Sequence, residues 1–167
     1  DKDFSEITEN LVISPEYAIH RNIEKCEVTG ISNVTYDGSE QILSDIVVKY
    51  GDEALICDKD YTLTYKNNVN AGTASIILTG ICDYFGTKTV PFTIKPKDAA
   101  SVTVNSISSK IYSGSNLKPL PVVKDGTVTL KNGTDYSLSY SNNKNAGTAL
   151  VRITFRGNYS GTKTVSF

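Results

Sequence analysis

The chain has no tryptophan and no methionine, a single histidine, His20, and only three cysteines in 167 residues. It also lacks any run near the roughly 18 consecutive apolar residues of a membrane span, and no segment sustains the 3.6-residue period of an amphipathic helix. Each absence excludes something. With one histidine, next to Arg21 and outside the repeated part of the chain, nucleophilic catalysis of the Ser/His/Asp kind has no proton shuttle. Cys26, Cys57 and Cys82 are spaced too widely for the close pairs of a zinc site. A balance of 17 Lys+Arg against 18 Asp+Glu, net charge -1, creates no field that would hold nucleic acid or an anionic membrane. The missing methionine and the Asp1-Lys2-Asp3 opening lead us to expect a processed or excised chain, with any signal peptide or anchor outside it.

What is present is an internal repeat. Residues 60–92 read DYTLTYKNNVNAGTASIILTGICDYFGTKTVPF and residues 135–167 read DYSLSYSNNKNAGTALVRITFRGNYSGTKTVSF, aligned without a gap and identical at 19 of 33 positions. Upstream, Tyr36-Asp37-Gly38 matches Tyr112-Ser113-Gly114 at an offset of 76 rather than 75. Self-similarity at this period means repeated structural units. We therefore expect an N-terminal extended segment over 1–23, a first unit over 24–95 and a second over 96–167. The short Lys95-Pro96-Lys97-Asp98 joint, stiffened by the fixed φ of proline, predicts a semi-rigid end-to-end pair.

Within each unit the pattern is that of strands. Tyr61-Thr62-Leu63-Thr64-Tyr65 and Tyr136-Ser137-Leu138-Ser139-Tyr140 alternate large apolar rings and side chains with hydroxyls, so Tyr61, Tyr65, Tyr136 and Tyr140 belong to the core face. β-branched runs at 46–49, 73–79, 87–94, 148–155 and 162–167 follow suit, with Gly, Asn and Asp between them. The expected fold class is all-β, two tandem small immunoglobulin-like antiparallel β-sandwiches. Pairing across the Asn-rich turn at 66–72 predicts a register in which facing indices sum to 139: Tyr65 faces Ala74, Tyr61 faces Leu78 and Cys57 faces Cys82. A Cys57–Cys82 disulfide is then a staple added to one copy, since Asn132 and Gly157 stand at those places in the second. The competing reading makes both cysteines small, semi-buried apolar residues, and Cys26 reads as a buried apolar position like Val102.

The Tyr36-Asp37-Gly38 string, Asp60 to Asn68, Asn70-Ala71-Gly72-Thr73-Ala74 and Gly157-Asn158-Tyr159-Ser160-Gly161-Thr162 together resemble the bacterial immunoglobulin-like repeat family called MBG or YDG, over about residues 24–167. Unit one departs from it with Ile81-Cys82-Asp83-Tyr84-Phe85-Gly86, and unit two with Tyr112-Ser113-Gly114. The resemblance implies an extracellular role as stalk or adhesive module of a cell-surface or secreted protein, and it brings no catalytic residues.

The remaining chemistry is sparse. Asp58 and Asp60 read as turn residues rather than a glycosidase pair or a calcium loop. Gly72 opens a strand, not a phosphate-binding helix. The sequons at Asn33, Asn132 and Asn158 arise easily in so Asn-, Ser- and Thr-rich a chain. An intramolecular Lys–Asn isopeptide bond cannot be placed from sequence. No cofactor and no metal is implied, and a monomer is expected. The main reading is a non-enzymatic spacer. Its rival is a carbohydrate- or host-matrix-binding module that uses Tyr84, Tyr159, Asn67, Asn68, Asn142 and Asn143 in loops; an accessory part of a secreted glycosidase is a third. Against the rival, Tyr84 and Tyr159 occupy equivalent places, which suits rings that seal a sandwich edge with hydroxyls bonded to backbone.

Overall fold

The computed structural model describes residues 20–167; most of the expected extended segment over 1–23 lies outside the described residues. The first repeat begins with β1 (Arg21–Asn22), a single 3-10 turn (Ile23–Lys25) and β2 (Glu27–Thr29). It continues with β3 (Val34–Thr35), β4 (Val47–Tyr50), β5 (Glu53–Ala54), β6 (Tyr61–Lys66), β7 (Gly72–Gly80), β8 (Tyr84–Phe85) and β9 (Thr87–Lys95). The second repeats the order as β10 (Lys97–Asp98), a 3-10 turn (Ala99–Ser101), β11 (Thr103–Val104), β12 (Val123–Asp125) and β13 (Val128–Thr129). It ends with β14 (Tyr136–Ser141), β15 (Leu150–Phe155), β16 (Tyr159–Ser160) and β17 (Thr162–Ser166). The chain is all-β and sandwich-like, and among the described residues every strand pairing stays within 21–95 or within 97–166.

In the first repeat a four-stranded sheet, β3-β9-β7-β6, lies against a three-stranded one, β2-β4-β5. The period of two explains the core between them. On β7, Ala74, Ile76 and Leu78 are fully buried while Thr73 and Thr79 face out, and Phe92 and Ile94 of β9 join them opposite Val48 of β4. Each of the larger side chains, Ile76, Leu78, Phe92, Ile94 and Val48, contributes about 1.5–3 kcal/mol on burial. Tyr61 and Tyr136 are buried as their alternation predicts, at 5% and 4% exposure. The second core gathers Val102, Val123, Leu130, Val151 and Ile153 in the same way. The long ladders are antiparallel; three two-residue pairings, β1-β8, β10-β16 and β3-β9, are parallel.

The predicted register is corrected by two residues. Tyr61 pairs with Gly80, Leu63 with Leu78 and Tyr65 with Ile76, so facing indices sum to 141. The turn is wider than expected because Asn67 takes a left-handed conformation, φ 56, and Asn68 reaches sideways to Gln41. There the Asn68 amide donates to the Gln41 carbonyl at 3.2 Å and the Gln41 N–H donates back at 2.7 Å. An even shift leaves each side chain on its intended face, which is why the core reading survives it.

The shift removes the argument for facing cysteines. Cys57 bridges to Tyr61 instead, and Cys57 and Cys82 are free and exposed while Cys26 is free and buried. Cys82 holds the left-handed turn position, φ 57, that Gly157 holds in the second repeat, φ 68. Titrating the denatured, unreduced chain with a thiol reagent is expected to count three thiols; a count of one would restore the staple.

Candidate functional site

Both repeats build the same polar-aromatic corner from a cation, a tyrosine and a carboxylate. In the second, β10 places Lys97 beside Tyr159 of β16 through their parallel pairing. The Lys97 ammonium donates to both oxygens of Asp125, at 2.7 and 2.8 Å, and the Tyr159 hydroxyl donates to the same carboxylate at 3.3 Å. In the first, β1 places Arg21 beside Tyr84. Its guanidinium donates to Glu53 at 2.5 Å and to the Tyr84 hydroxyl at 3.1 Å, and stands 5.5 Å over the Tyr50 ring, where the ring's quadrupole attracts it. Tyr50 in turn meets Tyr84 edge to face at 5.9 Å. The bond to Tyr84, then that to Glu53, raises the Arg21 pKa still further, so this cation is permanent.

These placements turn the loop tyrosines inward. Tyr84 and Tyr159 are 4% and 5% exposed, so neither offers a ring face to a sugar. Nor do their hydroxyls bond backbone; that role belongs to Tyr65, which donates to the Leu43 carbonyl and accepts its N–H, and to Tyr140, which donates to the Pro119 carbonyl. Of the four asparagines, Asn68 and Asn143 are half-buried and bond their own chain, while Asn67 and Asn142 are exposed. Asn143 clasps Leu117 as Asn68 clasps Gln41, while Asn142 shares the left-handed φ of 56 with Asn67. All four are turn formers. Lysines missed by sequence reasoning act alike in both copies: Lys88 donates to the carbonyls of Glu24 and Cys26, and Lys163 to those of Ala100 and Val102. They satisfy the last carbonyls of the two 3-10 turns. The identical Gly-Thr-Lys-Thr strings at 86–89 and 161–164 were the available signal.

Tyr159 does a second job at the joint. Its ring stands edge to face with Tyr36 of the first repeat, centroids 5.7 Å apart at 78°, and Tyr36 packs against both cores. Next to it the Asn158 carbonyl oxygen of the side chain accepts the Ala71 N–H at 2.8 Å, and its amide donates to Asn70 at 3.0 Å. The Lys97 N–H donates to the Asn158 backbone carbonyl, so the connecting segment and the docked corner are tied together.

Burial, first, and the Asp125 charge, second, push the Tyr159 hydroxyl far above its usual range; burial also raises Tyr61, Tyr136 and Tyr140. A raised tyrosine favours the folded state below the unfolded value, 10.0, and that support is lost as pH rises above it, because the unfolded chain ionises first. The urea midpoint is expected to fall above pH about 10, and Tyr159→Phe to blunt the fall. Chemically, both corners hold paired charge; the Lys97–Asp125 pair is partly buried, whereas Arg21 and Glu53 stay open to solvent. Among the described residues no three His, Cys, Asp or Glu side chains group as a metal site, and His20 is exposed. The half-buried Lys88, Lys97 and Lys163 contact carbonyls and Asp125, not an asparagine amide. No family profile matches the chain, and no curated protein or solved structure matches it.

Proposed function

We propose that residues 24–95 and 96–167 are two tandem immunoglobulin-like sandwiches, of the MBG or YDG kind their motifs resemble, serving as a non-catalytic spacer in a larger bacterial cell-surface or secreted protein. The observation that carries this reading is the joint. A connection of one proline between β9 and β10 is backed by the Tyr36–Tyr159 contact and by two hydrogen bonds at the Asn158 side chain, one accepted from Ala71 and one donated to Asn70, which resist bending between the units. Side-by-side strands in each repeat give the resistance to extension that a stalk needs.

The adhesive alternative, a module for glycans or matrix proteins, is left with the exposed Asn67 and Asn142, since Tyr84 and Tyr159 are buried and the Asn68 and Asn143 side chains bond their own chain. Small-angle scattering of Asn158→Ala tests the spacer reading. We expect a broader distribution of end-to-end distances with little change in melting temperature. Unchanged scattering would remove the joint as a stiffening device, and specific binding of the wild-type chain to a glycan or matrix panel would favour the alternative.

A further inference from the structure

The strands at which the chain enters and leaves the first repeat are held by parallel pairings. It enters through β1, which sets Arg21 against Tyr84 and Asn22 against Phe85. It leaves through the end of β9, where Ile94 and Lys95 pair with Val34 and Thr35 of β3. The long ladders that hold the rest of the unit, β6-β7 and β7-β9, are antiparallel. The difference decides how each responds to a pull. Tension on the two ends draws β3 toward its N-terminal side, from which the chain arrives, and β9 toward its C-terminal side, through which it departs. In a parallel pair those directions oppose each other along one axis, so the hydrogen bonds between the strands are strained together, in shear. An antiparallel hairpin pulled apart at its open end loses its bonds one after another.

The β3-β9 patch is reinforced beyond its two residue pairs. At its start the Asn33 side-chain oxygen accepts the Thr93 N–H at 3.1 Å, and at its end the Tyr36 N–H donates to the Lys95 carbonyl at 2.9 Å. β7 holds the other edge of β9 there, with Gly72 opposite Ile94 and Thr73 opposite Thr93. Ile94 is fully buried and Val34 packs against the same core. Tyr36 packs against both cores and sets its ring edge to face with Tyr159. Water competes for any hydrogen bond that is stretched, and these side chains keep it from the inner face of the patch.

We propose that β3 and the end of β9 are the load-bearing clamp of the first repeat. Tension between the ends of the repeat is carried by residues 33–36 against residues 93–95, and the force at which the repeat opens is set by rupture of this patch rather than by the stability of the core. The inference deepens the spacer reading and rests on it for the source of the tension. Forced unfolding follows the barrier to opening and not the equilibrium. A substitution in a part that is still intact at that barrier therefore lowers stability without lowering the rupture force.

The test is single-molecule pulling on the full chain, held by its two ends, with Asn33→Ala and Ile76→Val as variants. Asn33→Ala removes one hydrogen bond of the patch and is expected to lower one of the two rupture forces, that of the first repeat, by at least about a third. Ile76→Val lies in the fully buried middle of β7; it is expected to lower the urea midpoint and leave both rupture forces unchanged. The second direction of pull uses handles on the exposed, free Cys57 and Cys82 thiols, which flank the open end of the β6-β7 hairpin before Tyr61 and after Gly80. Opening in that direction is expected at a force at least about twofold lower, since bonds there break singly. An unchanged force in Asn33→Ala, an equal loss in Ile76→Val, or equal forces in the two directions overturns the clamp. Specific binding of the chain to a glycan or matrix panel would remove the spacer reading and leave these forces as they are, so the two fail separately.

Discussion

Tyr159→Ala is expected to lower the stability of the second repeat by about 3–5 kcal/mol, the range for truncating a buried aromatic residue. The ring is 5% exposed, packs at 6.4 Å from Phe155 and 5.7 Å from Tyr36, and its hydroxyl is one of the partners of Asp125. Removing it opens a cavity under β16 and withdraws the first repeat's contact at once. A repeat of this size is stable by only about 4–11 kcal/mol on the usual per-residue scale, so the melting transition of residues 97–167 moves far down or disappears. Tyr159→Phe keeps the ring and gives up one hydrogen bond, while Asp125 retains Lys97; about 1 kcal/mol is the expected cost. Thermal melts of the two variants separate ring from hydroxyl. A stable, fully folded Tyr159→Ala protein would contradict the buried placement and reopen the residue as a surface ligand.

Gly30→Ala is expected to be at least as damaging, and on the other repeat. Gly30 has φ +78, and a Cβ there would lie 1.8 Å from the Asp45 carbonyl oxygen and 2.6 Å from its carbon. Both are backbone atoms, so no side chain can swing away. Relief requires parting β2 from β4, whose pairing runs from Glu27↔Lys49 to Thr29↔Val47 just before the glycine, and with it half of one sheet over the first core. Left-handed strain adds to the clash. A loss of more than about 4 kcal/mol follows, enough to unfold residues 21–95. Every strand pairing of the second repeat stays within residues 97–166, so amide spectra should keep the second repeat's native signals while the first repeat's collapse. Survival of both sets would show that the chain between Gly30 and Asp45 can move aside.

Much of the architecture was legible along the chain because a strand writes its burial into every second residue. Tyr61, Leu63, Ile76 and Leu78 could be assigned to a core face from alternation alone, and the two-residue error in register did not disturb that, since it preserves the face. The error itself was invisible locally. It arises where Asn68 bonds Gln41, 27 positions away, and no property of the turn's own residues records that partner. The corners were illegible for the same reason. Tyr84 and Tyr159 follow Asp83 and Asn158 in turns, which reads as a loop; what buries them is β1 and β10 pairing alongside from 63 and 62 residues earlier.

The sequence by itself determined that this is an all-β chain and that it repeats with a period near 75 residues. Those follow from periodicity, identity and composition, which need no partner in space. Only the tertiary structure decided which tyrosines seal the corners and which tie loops, that the three cysteines are free, and that Asn158 and Tyr159 clamp the joint. Each of these depends on groups tens of residues apart meeting across sheets, and the energy of a buried ring or a shared carboxylate belongs to that meeting rather than to either residue.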